Sequence, residues 1–137
     1  MLSIEPFRLR HLRDIPMTLT LRVLWMIRAQ VRGGPSFTVR DTGNSVVACG
    51  GIIINGTCGD IWMCVHQDRA ARCPVAFSKT IHHIAQTVIA KEGLRSLQTT
   101  VDSHDPVAVR FANRFGLSWE FSGKTPQGIV DIYAREF

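Results

Sequence analysis

The sequence predicts a single α/β domain built on a mixed central β-sheet flanked by helices. Three observations carry this reading. First, Ile61 to Leu117 reads as strand, polar loop, long helix, strand and short helix. Two strands joined by a crossover helix favour parallel pairing. Second, Val46 to Ile54 is nearly continuous apolar sequence, as a central strand buried on both faces requires. Third, Asp41-Thr42-Gly43-Asn44 separates two strand-like runs and has the turn chemistry of a hairpin, which adds antiparallel pairing. At 137 residues the chain has the length of one domain with a core of its own.

Composition narrows the function classes. Hydrophobic residues make up 45% and charged residues 20% of the chain, a globular and not a disordered balance. No apolar run reaches the roughly 18–20 residues of a membrane span. The richest early stretch, Ile15 to Val31, is broken by Arg22 and Arg28. No signal-peptide pattern is visible, so the expected location is the cytoplasm, with no membrane partner. Cys49, Cys58, Cys64 and Cys73 form no CxxC pair, which argues against a zinc site or any other metal site. A disulfide framework is not expected in that compartment. The net charge is +5 and the N-terminal third is rich in arginine (Arg8, Arg10, Arg13, Arg22, Arg28, Arg32). A basic surface favours anionic partners such as a nucleotide cofactor or nucleic acid. Nucleic acid is the weaker expectation, because no aromatic-interleaved basic stripe and no helix-turn-helix pattern accompany the charge.

Taken in order, Ile4 to Arg10 alternates loosely and predicts a first strand. Asp14 before Ile15-Pro16 is a helix start with proline in its first turn. Leu19, Leu21, Leu24, Trp25 and Ile27 have the spacing of a helix packed on a sheet, although Thr18 to Val23 also suits a strand. Arg32-Gly33-Gly34-Pro35 breaks that element. The hairpin Ser36–Arg40 and Ser45–Ile54 follows, with Gly50-Gly51 marking either a bulge or a close backbone approach. Asn55 to Asp60 is a loop leading into the strand Ile61–Val65. After the polar loop His66 to Pro74, the helix Val75–Lys91 carries an apolar stripe of Val75, Ile81, Ile84, Ala85, Val88 and Ile89 and stops at Gly93. Leu97 to Val101 is the next strand, and a short helix closes at Phe115-Gly116-Leu117. A last hairpin pairs Ser118–Ser122 with Gly128–Arg135 through the loop Gly123 to Gln127. Ligands of open sheets gather at the carboxyl ends of the strands, here Val65 to Pro74 together with Asp102 to Asp105.

This order of elements resembles the GNAT superfamily of N-acetyltransferases. The likeness is sharpest from Gly59 to Leu117. The family's late helix reads N-x-x-A-x-x-x-Y-x-x-x-G-F, and Ala108, Phe111, Gly116 and Leu117 fit its pattern, with Asp105 in place of the asparagine. The run around Tyr133 also fits. The resemblance implies that the strands on either side of the crossover splay and that acetyl-CoA lies between them as co-substrate. On the matching positions it implies cofactor contacts from Val65, Arg69, Arg72, Cys73, Val75 and Asp105. Two departures stand out. The family's phosphate loop is R/Q-x-x-G-x-G/A, whereas Cys73 and Val75 occupy the glycine places here, Ala71 brings no further glycine and Pro74 has no N–H. The tyrosine that often protonates the leaving thiolate falls on Ala112.

The expected function is transfer of an acetyl group from acetyl-CoA to the amine of a small molecule or protein. Asp60, His66 and His104 are the candidate bases, and the residues alone do not choose among them. The glycine-free loop, the turn Gly56, Gly59, Asp60 before Trp62, and the ending Phe111-x-x-x-Phe115-Gly116 also resemble short phage-encoded GNAT-like proteins. That resemblance implies an alternative, a non-catalytic virion-associated or partner-binding protein.

Overall fold

The computed structural model describes residues 2–126 and 128–137. Seven strands form one sheet in the order β1-β2-β3-β4-β5-β7-β6. They are β1 (Ser3–Pro6), β2 (Ser36–Arg40), β3 (Val46–Asn55), β4 (Cys58–Val65), β5 (Ser96–Asp102), β6 (Ser118–Thr125) and β7 (Gly128–Glu136). The helices are α1 (Leu21–Arg32), α2 (Gln67–Arg72), α3 (Pro74–Glu92) and α4 (Pro106–Arg114). Every neighbouring pair is antiparallel except β4 and β5, which flank the α2–α3 crossover and run parallel. The fold is therefore the mixed α/β sheet that the sequence predicts. No described helix is long and apolar enough to cross a membrane.

Local chemistry explains most of the boundaries. The β2–β3 turn closes because the Asp41 carboxylate accepts from the Ser45 N–H at 2.9 Å and Asn44 takes the left-handed conformation, φ 64°, which asparagine tolerates. Gly93 ends α3 with φ 64°, where a Cβ would be strained. Gly50-Gly51 is a close approach and not a bulge. A Cβ on Gly50 would lie 2.6 Å from the Trp62 carbonyl oxygen, and one on Gly51 2.5 Å from that of Pro35. The irregularity falls elsewhere: Val39 faces Ala48 and Arg40 faces Val46, so Val47 is the extra residue.

The N-terminal segment departs from expectation. The first strand ends at Pro6, and Leu9–Asp14 forms a 3-10 turn in place of continued strand. Helix α1 begins at Leu21, where the Thr20 hydroxyl accepts from the Val23 N–H at 3.2 Å. This cap prevails over the Asp14-Ile15-Pro16 signal, because Leu12 and Ile15 are buried beneath the 3-10 turn and hold the intervening chain extended. The polar loop 66–74 holds the six-residue α2. Val75 lies off the buried stripe of α3, which is Phe77, Ile81, Ala85 and Val88; a step of two from Phe77 turns it to the opposite side of the helix. Strand β6 continues through Gly123–Thr125, and Gln127 of the expected loop lies outside the described residues.

Two cores sandwich the sheet. Helices α3 and α4 cover one face, where Ala48, Ile52, Phe77, Ile81, Ala85 and Phe115 pack together. The 3-10 turn and α1 cover the other, around Phe7, Leu12, Ile15, Ile27, Cys49 and Trp62. Burial lifts the Cys49 thiol to about 11, so it serves as a small hydrophobe.

A buried polar relay ties the second face together. His11 is 6% exposed. Its Nδ1 accepts from the Arg8 N–H at 3.2 Å and lies 2.7 Å from the Thr38 hydroxyl. The backbone N–H can only donate, so the ring proton sits on Nε2, 3.5 Å from Glu5. Glu5 in turn pairs with Arg40. Burial holds His11 below its ordinary value of 6.5, against the pull of Glu5. The neutral ring therefore contributes stability above pH 6.5 that is lost as pH falls below it. Urea midpoints should drop from pH 7.5 to pH 5 more steeply in the native chain than in His11→Gln. Parallel curves would refute the relay.

Candidate active site

The site begins where the sheet comes apart. Strands β4 and β5 pair from Cys58↔Ser96 to Ile61↔Thr99 and no further. The Thr99 hydroxyl donates to the Ile61 carbonyl at 3.0 Å at this last pair. Beyond it β4 continues to Val65 while β5 continues beside β7 to Asp102. The His66 N–H reaches the Val47 carbonyl at 2.8 Å. Alternation along the strand then turns the N–H and C=O groups of Cys64 toward β3, and those of Met63 and Val65 into the gap. Two consecutive open positions on a sheet edge can hold an extended amide chain as a further strand would.

The gap opens into a cleft of about 730 Å³ that passes through the sheet. On the α1 side it is lined by Val23, Met26, Ile27, Gln30, Ile53 and Asp60. On the other side lie Ala70, Ala71, Pro74, Phe77, Ala108 and Phe111. The site is thus reached from both faces. Trp62 also lines it, and its buried indole N–H has no partner among the described residues.

The expected cofactor residues divide into two groups. Val65 and Asp105 line the cleft; Arg69, Arg72, Cys73 and Val75 do not. Asp105 is the N-cap of α4, its carboxylate accepting from Val107 N–H at 3.1 Å and Ala108 N–H at 3.2 Å. Arg69 turns toward β3, where its guanidinium donates to the Val46 carbonyl at 2.8 Å. Cys73 precedes α3, and its thiol donates to the Arg69 carbonyl at 3.3 Å. Arg72 is exposed at the end of α2. Val75 is 66% exposed, so only its backbone can serve a ligand at the helix start. Because Pro74 opens α3, the first turn presents the N–H groups of Val75 and Ala76 and lacks a third.

Of the three candidate bases, only Asp60 reaches the cleft. Burial pushes its carboxyl above the ordinary value of 3.8, and a hydrogen bond with Gln98 opposes that rise. His66 is occupied as the cap of α2, its Nδ1 accepting from the Arg69 N–H at 3.3 Å. His104 is exposed in the turn after β5, its N–H held by Asp102 at 2.9 Å. Ala112 lines the cleft and brings no hydroxyl. Sequence reasoning missed Gln30, Met26, Ala70 and the Trp62 indole. The one available signal was the pair Ala70-Ala71, whose small side chains let a ligand approach the backbone after a strand.

No family model matches this sequence, and no curated protein matches it. Solved structures do match. A GNAT family acetyltransferase from Elizabethkingia anophelis, solved with acetyl-CoA bound, superposes with TM-score 0.73 at 8% identity over 99% of this chain and 98% of that one. A chimera of spermidine N-acetyltransferase SpeG from Vibrio cholerae and hSSAT gives 0.75 at 11% identity, covering 98% and 95%. A protein provisionally described as a phosphinothricin N-acetyltransferase gives 0.72 at 14% identity, covering 100% and 99%. The chain therefore has the fold of the GNAT acetyltransferases.

Proposed function

We propose that this protein transfers an acetyl group from acetyl-CoA to an amine. The observation that carries this is the through-sheet cleft, which sets the open edge of Met63 and Val65 beside the Asp60 carboxylate. The edge suits the amides of a pantetheine arm, with Val65 toward its pyrophosphate end, and the backbone N–H of Met63, nearer to Asp60 along β4, can polarise a thioester carbonyl. The small side chains of Ala70 and Ala71 leave room for the arm. Arg72 and the N–H groups of Val75 and Ala76 stand where a pyrophosphate would emerge, with charge replacing the glycine loop. Acetyl-CoA supplies the activated acyl group.

Asp60 accepts a proton from the incoming ammonium, directly or through water. The free amine then attacks the thioester carbonyl, a C–N bond forms, the nitrogen releases its remaining extra proton to water and the C–S bond breaks. A thiol of ordinary pKa near 8.5 leaves as thiolate and takes its proton from water, so Ala112 does not block the reaction.

Titration with acetyl-CoA tests the reading. At a hundredfold the dissociation constant, a ligand stabilises the fold by about 2.7 kcal/mol, an easily measured melting shift. Arg72→Ala should weaken binding about tenfold, in line with loss of one charge-assisted contact, and leave the melting temperature of the free protein unchanged. No shift at millimolar acetyl-CoA overturns the proposal. That result would favour a partner-binding protein on a catalytic fold, with Pro74 leaving the head of α3 one N–H short for a phosphate.

A further inference from the structure

The net positive charge of this chain falls on one layer. Residues 7–35 hold six arginines and one acid, Asp14, while the rest of the chain has ten basic and ten acidic residues. The whole formal net charge of +5 therefore sits on the 3-10 turn and α1, which cover the same face of the sheet. All six arginines, Arg8, Arg10, Arg13, Arg22, Arg28 and Arg32, are exposed.

Helix α1 turns one stripe to the sheet and another outward. Leu21, Trp25, Arg28 and Arg32 recur at i, i+4, i+7 and i+11, a row of about 16 Å. Leu21 is 74% and Trp25 61% exposed. Among the described residues, Arg28 and Arg32 form no ion pair. The row is apolar at its N-terminal end and basic at its C-terminal end.

We infer that this face docks an acidic polypeptide segment, one with apolar side chains followed by a run of carboxylates. Leu21 and Trp25 would take the apolar part, and the guanidinium forks would take the carboxylates in bidentate pairs. The axial division of the row decides among anionic partners. A helix lying in a bilayer surface needs its apolar and basic residues on different sides of its axis, whereas here they follow one another along it. A nucleic acid would leave Leu21 without a role, and a single tryptophan is no platform for successive bases. A second copy of the chain would bring the same positive layer against itself. The inference does not depend on acetyl transfer. Where that reading holds, the docked segment lies beside the mouth of the cleft formed by Val23, Met26 and Gln30.

The test is fluorescence anisotropy with a labelled peptide in which a leucine–phenylalanine pair precedes a run of glutamates. The peptide is expected to bind at least tenfold more tightly than its glutamine counterpart. Trp25→Ala, and separately Arg28→Gln with Arg32→Gln, should each weaken it about tenfold. These substitutions are on the surface and should leave the melting curve in place. Equal affinity for the glutamine peptide, tighter binding to a DNA duplex or phosphatidylserine vesicles, unchanged binding by the variants, or a dimer in sedimentation that buries Trp25 would each overturn the inference. The acetyl-CoA melting shift is measured in parallel. A shift without peptide binding overturns the docking face alone, and peptide binding without a shift overturns acetyl transfer alone.

Discussion

Asp60→Asn should lower the rate of acetyl transfer by about a hundredfold or more, within the usual range for loss of a general base, while leaving acetyl-CoA binding intact. Asp60 is the only one of the three candidate bases that lines the cleft; the other carboxylates there are engaged by backbone N–H groups, Asp102 by that of His104 and Asp105 by those of Val107 and Ala108. The native rate should rise with pH through the elevated pKa of Asp60, and the variant should lack that limb. Stability should move the other way. A carboxyl whose pKa is raised on folding favours the folded state when protonated, and this contribution is lost as pH climbs from 3.8 through the folded value. Asparagine carries no charge at any pH. The variant should therefore melt higher than the native protein at pH 7, with the gap closing in acid. Initial rates and melting temperatures across pH measure both effects. An unchanged rate would remove Asp60 from the mechanism.

Gly34→Ala should cost about 3 kcal/mol, the upper part of the range for overpacking a tight site. The segment between α1 and β2 lies along β3, where Gly33 and Pro35 carbonyls accept from Ile54 and Ile52 N–H groups at 2.9 and 3.0 Å. A Cβ on Gly34 would stand 2.0 Å from the Ile52 carbonyl oxygen. Backbone lies on both sides of that contact, so no side chain can swing away. At Gly123 nothing lies within 4 Å, and its alanine variant should fall within about 0.5 kcal/mol of the native protein. Urea unfolding of the pair measures the difference. A loss below about 1 kcal/mol at Gly34 would mean that the segment does not press on β3.

These two residues mark the limit of what the sequence makes legible. Elements specified by their own neighbourhood could be read directly. The Asp41–Asn44 turn, the Gly93 stop and the strand–helix–strand order after Asp60 all depend on chemistry within a few residues. The start of α1 could not be read, because two helix-start signals compete and burial of Ile15 beneath the 3-10 turn decides between them. Helix α2 has six polar and small residues and no apolar period, so the polar loop concealed it. Val65 and Asp105 entered as positions matching the resemblance, one at a strand end and one at a helix cap, and both line the cleft. The choice of Asp60 over His66 and His104 required knowing which of them lies in the cleft. Val75 was misplaced on the apolar stripe because Phe77, two residues on and therefore on the opposite side of the helix, is the residue that sets the stripe's direction in the first turn.

The open edge of β4 carries a consequence in isotope exchange. The Cys64 N–H is turned to β3, while those of Met63 and Val65 face the gap left by β5. Deuterium should therefore enter this strand at every second amide, rapidly at Met63 and Val65 and slowly at Cys64. A ligand paired along the edge would slow Met63 and Val65 to the pace of their neighbour, so that protection along a single strand records the filling of the cleft.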